Sequence, residues 1–214
     1  MRPLLFLTLA CAVLIYDIAV MAFDDIHFER FKNKNVCPKC DLSNSNFNKA
    51  DLRKAVLRHA NLRDSVLRFT DFRGATLEKA SLRQADLSGA QLQKVNLKNA
   101  NLEKTTLQYA NLSSANLEGA NFSKADLTGA NVALANLSGA NFVQANLVKT
   151  NLKGAKMSGV NLLEANLIKA NLKEAKLSGA NLIKANLIKA NLSGANLFGS
   201  GADAAQQIID ITDV

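Results

Sequence analysis

Tryptophan is missing from this 214-residue chain, and proline and histidine occur only twice each. Metal or acid–base chemistry would need His27 and His59 grouped with further ligands or carboxylates. No such grouping is visible around either. His27 falls in a short segment ahead of the main body, and His59 at an outward position, so both read as surface residues. Three cysteines are too few for a disulfide-built scaffold. The eleven glycines compose no phosphate-cradling loop motif, because most recur at fixed intervals as corners. These absences point away from catalysis, and the chain is expected to be non-enzymatic, with no cofactor and no metal.

Long apolar runs are also scarce. The one present, Leu4 to Tyr16, follows Arg2 and precedes small residues at Val20 and Ala22. That order reads as an export signal over residues 1–22, cleaved before Phe23. The alternative is an N-terminal membrane anchor over Leu4 to Phe23. Asp17 opposes it, because a carboxylate near a bilayer centre costs about 2.5–3.5 kcal/mol. A lipid attachment at Cys11 is weaker still, with Thr8 where such signals place leucine. The expected location is therefore an exported one: periplasm, thylakoid lumen or extracellular space. Cleavage leaves Cys37 and Cys40, and an oxidising compartment would permit a local disulfide between them.

What is abundant is order. From residue 42 to residue 197 every position whose number ends in 2 or 7 is large and apolar, giving thirty-two repeats without a phase slip. Leucine is replaced there only by Phe47, Phe72, Phe122, Val132, Phe142 and Met157. Two residues earlier the residue is small, with alanine dominant and Cys40, Ser45, Ser65, Thr70, Val95, Thr105, Thr150 and Val160 as the exceptions. A period of five fits neither a helix near 3.6 nor a strand near 2. Only a chain that turns a corner in each repeat points all the leucines at one axis.

A longer period counts the corners. Lys149, Lys169 and Lys189 lie twenty apart, as do Lys153 with Lys173, Lys156 with Lys176, and the glycines from Gly119 to Gly199. Twenty residues are four repeats, so the coil is four-sided. Successive coils should stack about 4.8 Å apart, making a rod of roughly 38 Å from eight coils over 40–199.

The motif A(D/N)LXX, as in ANLSG at 135–139 and ADLTG at 125–129, resembles the pentapeptide-repeat family. The resemblance covers residues 40–199. It implies an all-β fold, a right-handed quadrilateral β-helix, with the central leucine or phenylalanine and the preceding alanine pointing inward. It implies little about function. The opening CPKCDLS at 37–43 is similar to exported cyanobacterial members.

Both ends of such a rod need covering. Residues 24–34, within an N-terminal cap over 23–39, read as a short helix with Asp24 as N-cap and Ile26, Phe28 and Phe31 facing the core. Residues 200–214, with Ile208, Ile209 and Ile211, read as a C-terminal cap or tail.

Cys37 and Cys40 form a CxxC pair. One pair cannot complete a tetrahedral zinc site, and no βαβ pattern accompanies it as a redox motif would require. A structural role, as disulfide or packed thiols, is expected. Redox chemistry is the alternative.

The surface has a formal net charge of +8, compatible with polyanions or anionic lipid. Arg53, Arg58, Arg63, Arg68 and Arg73 run round all four sides among Asp51, Asp64, Asp71, Glu78 and Asp86, a solvated mixed belt. A nucleic-acid groove would instead require one basic stripe with aromatic platforms. Some members of the resembled family mimic DNA and inhibit DNA gyrase, but mimicry requires an acidic rod, so nucleic acid and gyrase are not the expected partners.

Near the C-terminus, Val143, Leu163 and Ile183 form one outward apolar ladder, and Val148, Ile168 and Ile188 a second, flanked by Lys149, Lys169 and Lys189. Gathered across one corner, these aliphatics are the expected contact surface. The partner would be another protein, a second copy of the chain, or an anionic membrane surface met by the lysine row.

Overall fold

The computed structural model describes residues 35–201. The expected export signal, the helix over 24–34 and the tail beyond residue 201 lie outside the described residues.

Each five-residue unit does four jobs in fixed order. The small residue points inward, and the next, usually Asn or Asp, faces out and forms a single parallel bridge. That bridge joins it to the residue twenty ahead, in an unbroken series from Val36↔Val56 to Lys176↔Asn196. The central apolar N–H donates to the following coil, as Leu62 does to the Ser81 carbonyl at 2.7 Å. The bridging N–H donates to the preceding coil, as Ser81 does to the Ala60 carbonyl at 2.9 Å. Twenty residues therefore close one turn of the solenoid, as the spacing of the lysines predicts.

The last two residues make the corner. The next small residue donates its N–H back to the central residue's carbonyl, as Ala85 does to Leu82 at 3.0 Å. The second corner residue has positive φ throughout, from Lys39 at 62° to Gly199 at 69°. This is the requirement of a type II turn. Glycine meets it without strain, yet Lys, Asn, Gln, Glu, Phe, Tyr and Leu are also used. No β-branched residue occupies any of these positions, because branching at Cβ clashes most severely in the left-handed region. At the corners valine and isoleucine are consequently confined to the first residue, while Val36, Val56 and Val66 take outward bridging positions.

The Asn or Asp of the motif stabilises the corner that follows it. Its Oδ1 accepts the N–H two residues on, for example Arg73 N–H to Asp71 at 3.1 Å and Leu163 N–H to Asn161 at 3.2 Å. These are Asx turns, and they explain why a short polar acceptor recurs there.

Inside, the central residues stack in four columns and are enclosed, apart from the partly buried Phe47, Leu192 and Leu197 near the two ends. Phe122 and Phe142 lie in one column with ring centroids 4.7 Å apart and planes 4° from parallel. Where Thr replaces the inward alanine, its hydroxyl donates to a carbonyl of the preceding coil: Thr70 to Phe47 at 2.7 Å, Thr105 to Leu82 at 3.0 Å, Thr150 to Leu127 at 2.8 Å; Ser65 does the same to Leu42, and Ser45 donates to Leu42 within its own coil. The buried hydroxyls are thereby satisfied rather than left to destabilise the core.

The repeat register starts earlier than the leucine pattern shows. Val36 already bridges, and Cys37 holds a central position, fully buried, with its N–H on the Val56 carbonyl at 2.8 Å. Val36 and Cys37, within the segment read as the N-terminal cap, thus take the bridging and central positions of a repeat. Cysteine acts here as a small hydrophobe in leucine's place.

Candidate binding surface

With one side chain per repeat committed to the bridge and two to the interior, the corners carry what is variable. Both expected ladders lie at first corner positions. Val143, Leu163 and Ile183 occupy one corner column, and Val148, Ile168 and Ile188 the next. They do not share a corner. Between them runs the side bearing Asn146, Asn166 and Asn186, whose Oδ1 atoms accept the N–H of Val148, Ile168 and Ile188 at 3.3, 3.3 and 3.1 Å. The correction follows from the five-residue step, which always carries an equivalent position round to the next corner.

Exposure along the ladders is graded. Val143, Val148, Leu163 and Ile168 are half-buried, whereas Ile183 is 38% and Ile188 56% exposed. Lys149, Lys169 and Lys189 are exposed, each at positive φ beside its aliphatic neighbour. The two ladders are therefore most accessible in the last coils. Phe198, 84% exposed, lies at a third corner of that end.

Four arginines of the belt, Arg53, Arg58, Arg68 and Arg73, stand in ion pairs. Arg53 grips Asp51 and Arg73 grips Asp71, each through Nε at 2.9 Å and a terminal nitrogen at 2.6 Å. Arg68 pairs with Asp86, and Arg83 reaches Glu103 at 3.4 Å. The guanidinium bonds hold the Asp51 and Asp71 carboxyls below their usual range. At Asp86 and Asp126 burial pushes the carboxyl up. Hydrogen bonds outweigh it, from Ser88 and Arg68 in one case and from Thr128, Gln108 and Asn146 in the other, and both end lowered.

Cys37 and Cys40 are joined by a disulfide with Cα atoms 5.5 Å apart, and both are buried. The pair lies within the repeat register, Cys37 at the central position and Cys40 at the small one. His59 is an exposed corner residue, and His27 lies outside the described residues. Among the described residues no three His, Cys, Asp or Glu side chains gather as a metal cluster.

The sequence reading missed one feature. Phe69, Tyr109 and Leu134 are strongly exposed at second corner positions. Each leans over a glycine twenty residues on. Ideal Cβ atoms at Gly89, Gly129 and Gly154 would come within 2.5, 2.7 and 2.9 Å of those side chains. A bulky second-corner residue followed at twenty by glycine was the available signal.

The repeat geometry agrees with comparison to known proteins. The description "Pentapeptide repeat region" matches residues 36–107, and "Pentapeptide repeats (8 copies)" matches segments that together run from 96 to 200. The chain belongs to the pentapeptide-repeat family. Among solved members, it is 35% identical to HetL of the cyanobacterium Nostoc sp. strain PCC 7120, a pentapeptide repeat protein involved in heterocyst differentiation regulation. That match covers 75% of this chain and 88% of HetL, with a TM-score of 0.48. A trypsin-treated form of QnrB1, a plasmid-mediated fluoroquinolone resistance protein, matches at 16% identity over 84% of this chain and 95% of its own, with a TM-score of 0.51. That likeness establishes the fold, an all-β pentapeptide-repeat solenoid. A protein from the Arabidopsis thaliana thylakoid lumen is 25% identical over 59% of this chain and 72% of its own, with a TM-score of 0.24. No curated protein matches the chain.

Proposed function

We propose that this pentapeptide-repeat chain is an exported, non-enzymatic scaffold that binds a protein partner through the two aliphatic corner ladders of its last coils. The observation that carries the reading is the exposure of Ile183 and Ile188 beside Lys189, on a solenoid whose other first-corner residues are mostly polar. Exposed aliphatic groups rimmed by charge are the usual mark of a contact surface. The partner is a second copy of the chain or another protein, and an anionic membrane is the remaining candidate for the lysine row.

Light scattering on the chain and on a variant carrying Ser in place of Leu163, Ile168, Ile183 and Ile188 tests this. A dimer that becomes a monomer identifies self-association. Two monomers redirect the search to other proteins, with the same variant as the negative bait. A variant that keeps every interaction of the parent removes the ladders from consideration. Export is tested by the mass of secreted protein, expected to begin at Phe23.

The redox alternative is disfavoured by the burial of Cys37 and Cys40, since a reactive thiol must be reached by its substrate. A nucleic-acid mimic is disfavoured by the net charge of +8.

A further inference from the structure

The last three coils, residues 141–200, carry eight lysines against two glutamates and no arginine or aspartate, a formal +6 of the chain's +8. Lys184 pairs with Glu164 at 3.8 Å on one corner. The other seven lysines lie in three adjoining columns away from that corner. Lys149, Lys169 and Lys189 line one edge of a side, and Lys153 and Lys173 its opposite edge. Lys156 and Lys176 follow just beyond, on the next side. All seven are exposed. Among the described residues, only Lys173 of the seven reaches a carboxylate, 3.9 Å away on Glu174.

Two of these lysines displace a residue that the corners use. In their column Asn136 accepts the N–H and Oγ–H of Ser138 at 3.3 and 2.8 Å, and Asn196 accepts the Phe198 N–H at 3.0 Å. Lys156 and Lys176 stand between them with no oxygen to accept the N–H of Ser158 or Ser178, so two corners go without the Asx turn. In the early coils Val, Thr, Ser and Gln also take bridging positions. From Asn111 to Asn196 only these two lysines depart from Asn or Asp. They bridge each other directly, and like charges opposite one another in a sheet are destabilising. The column gives up two caps and gains a repelling pair, an exchange that a partner's negative charge explains and folding does not.

We propose that this basic side docks on an anionic lipid bilayer. Three columns spread over two sides make a plate, which fits a planar array of headgroup phosphates better than a single strand. Lysine meets such an array as a point charge, and no arginine follows Arg83 to grip one phosphate through two bonds. No exposed ring stands among the seven lysines for bases to stack on. Tyr109 shares the Lys149 corner but lies two coils earlier. Ile168 and Ile188, beside Lys169 and Lys189, supply an apolar rim that a headgroup layer accommodates. The inference does not require the ladders to bind a protein.

The test is co-sedimentation of the processed protein with vesicles of phosphatidylcholine, alone or mixed with phosphatidylglycerol, at about 0.15 M salt. Binding of a fluorescent oligothymidylate is measured alongside. The expected result is binding to the mixed vesicles and little to phosphatidylcholine alone. Lys156→Asn/Lys176→Asn returns the column to its own asparagine, so this variant should melt no lower than the parent. It should bind the mixed vesicles about thirtyfold more weakly. Lys124→Asn/Lys184→Asn removes the same charge from the opposite corner, at positive-φ positions that asparagine accepts, and should bind within about twofold of the parent. Both variants keep Leu163, Ile168, Ile183 and Ile188, so failure of the ladders and failure of the bilayer reading are told apart. The proposal is overturned if the mixed vesicles are not bound, if phosphatidylcholine alone is bound as well, if the Lys156/Lys176 variant binds like the parent, if the opposite-corner variant loses as much, or if the oligonucleotide binds where the vesicles do not.

Discussion

Asp71 and Asn151 occupy the same column four coils apart and perform the same backbone task. Asp71 accepts the Arg73 N–H at 3.1 Å, and Asn151 accepts the Lys153 N–H at 3.2 Å. Beyond that the two regions diverge. Asp71 spends its remaining oxygen on a guanidinium, whereas Asn151 joins an amide ladder, receiving from Asn171 at 3.2 Å and donating to Asn131 at 3.1 Å. The corner requires only an acceptor of the right length. Whether that acceptor is charged is left open by the fold. The early coils accordingly carry a surface of ion pairs, and the late coils one of amides, aliphatics and lysines, around one continuous core.

If the core is shared and only the surface differs, core changes should be costly in either region. The largest effect is expected at Phe122→Ala, which takes a ring from the Phe122–Phe142 stack. A loss of about 3–5 kcal/mol in chemical denaturation is expected, and a loss under 1 kcal/mol would mean the columns there are loosely filled. Next come Thr105→Val and Thr150→Val, one on either side of that stack. Each removes a hydroxyl donated to a carbonyl of the coil before it, and each should cost about 1 kcal/mol. Similar values in urea melts would support a common core, and widely different ones would break the comparison.

The smallest effect concerns charge. Because Arg53 and Arg73 lower the folded-state pKa of Asp51 and Asp71, their stabilisation is present above the unfolded carboxylate range near pH 4 and is lost as pH falls through the lower folded values. The double variant Asp51→Asn/Asp71→Asn gives the early coils the late coils' chemistry. Its melting temperature should fall less than the parent's between pH 6 and pH 3, by about 1–3 °C. An identical fall in both proteins would assign acid sensitivity to other groups.

The fold was legible because its demands are periodic. Leu117 or Leu137 must fill the axis, Ala115 or Ala135 must leave room, and the next residue must cap a corner, so five residues specify the whole. The twenty-residue coil could be read from Lys149, Lys169 and Lys189 because these positions are free of the five-residue constraint. Cys37 was harder to place, since a cysteine in leucine's position breaks the pattern by which that position is recognised. The aliphatic residues hold first-corner positions, four half-buried and two exposed, and their division between two corners needed the turn geometry. Phe69 and Tyr109 were overlooked because sequence alone does not say that a side chain leans over the coil that follows. The bare glycine beneath each ring is what makes that direction visible.

The one-residue bridge at each side has an evolutionary consequence. A deletion of twenty residues, such as 141–160, would rejoin Ala140 to Asn161 in unchanged register and merely shorten the rod. A deletion of five would keep every buried column equally well filled, yet turn everything beyond it through a quarter revolution. Small genetic insertions and losses in this lineage are therefore dials: one length of indel sets reach, another sets the bearing of each surface feature relative to those before it.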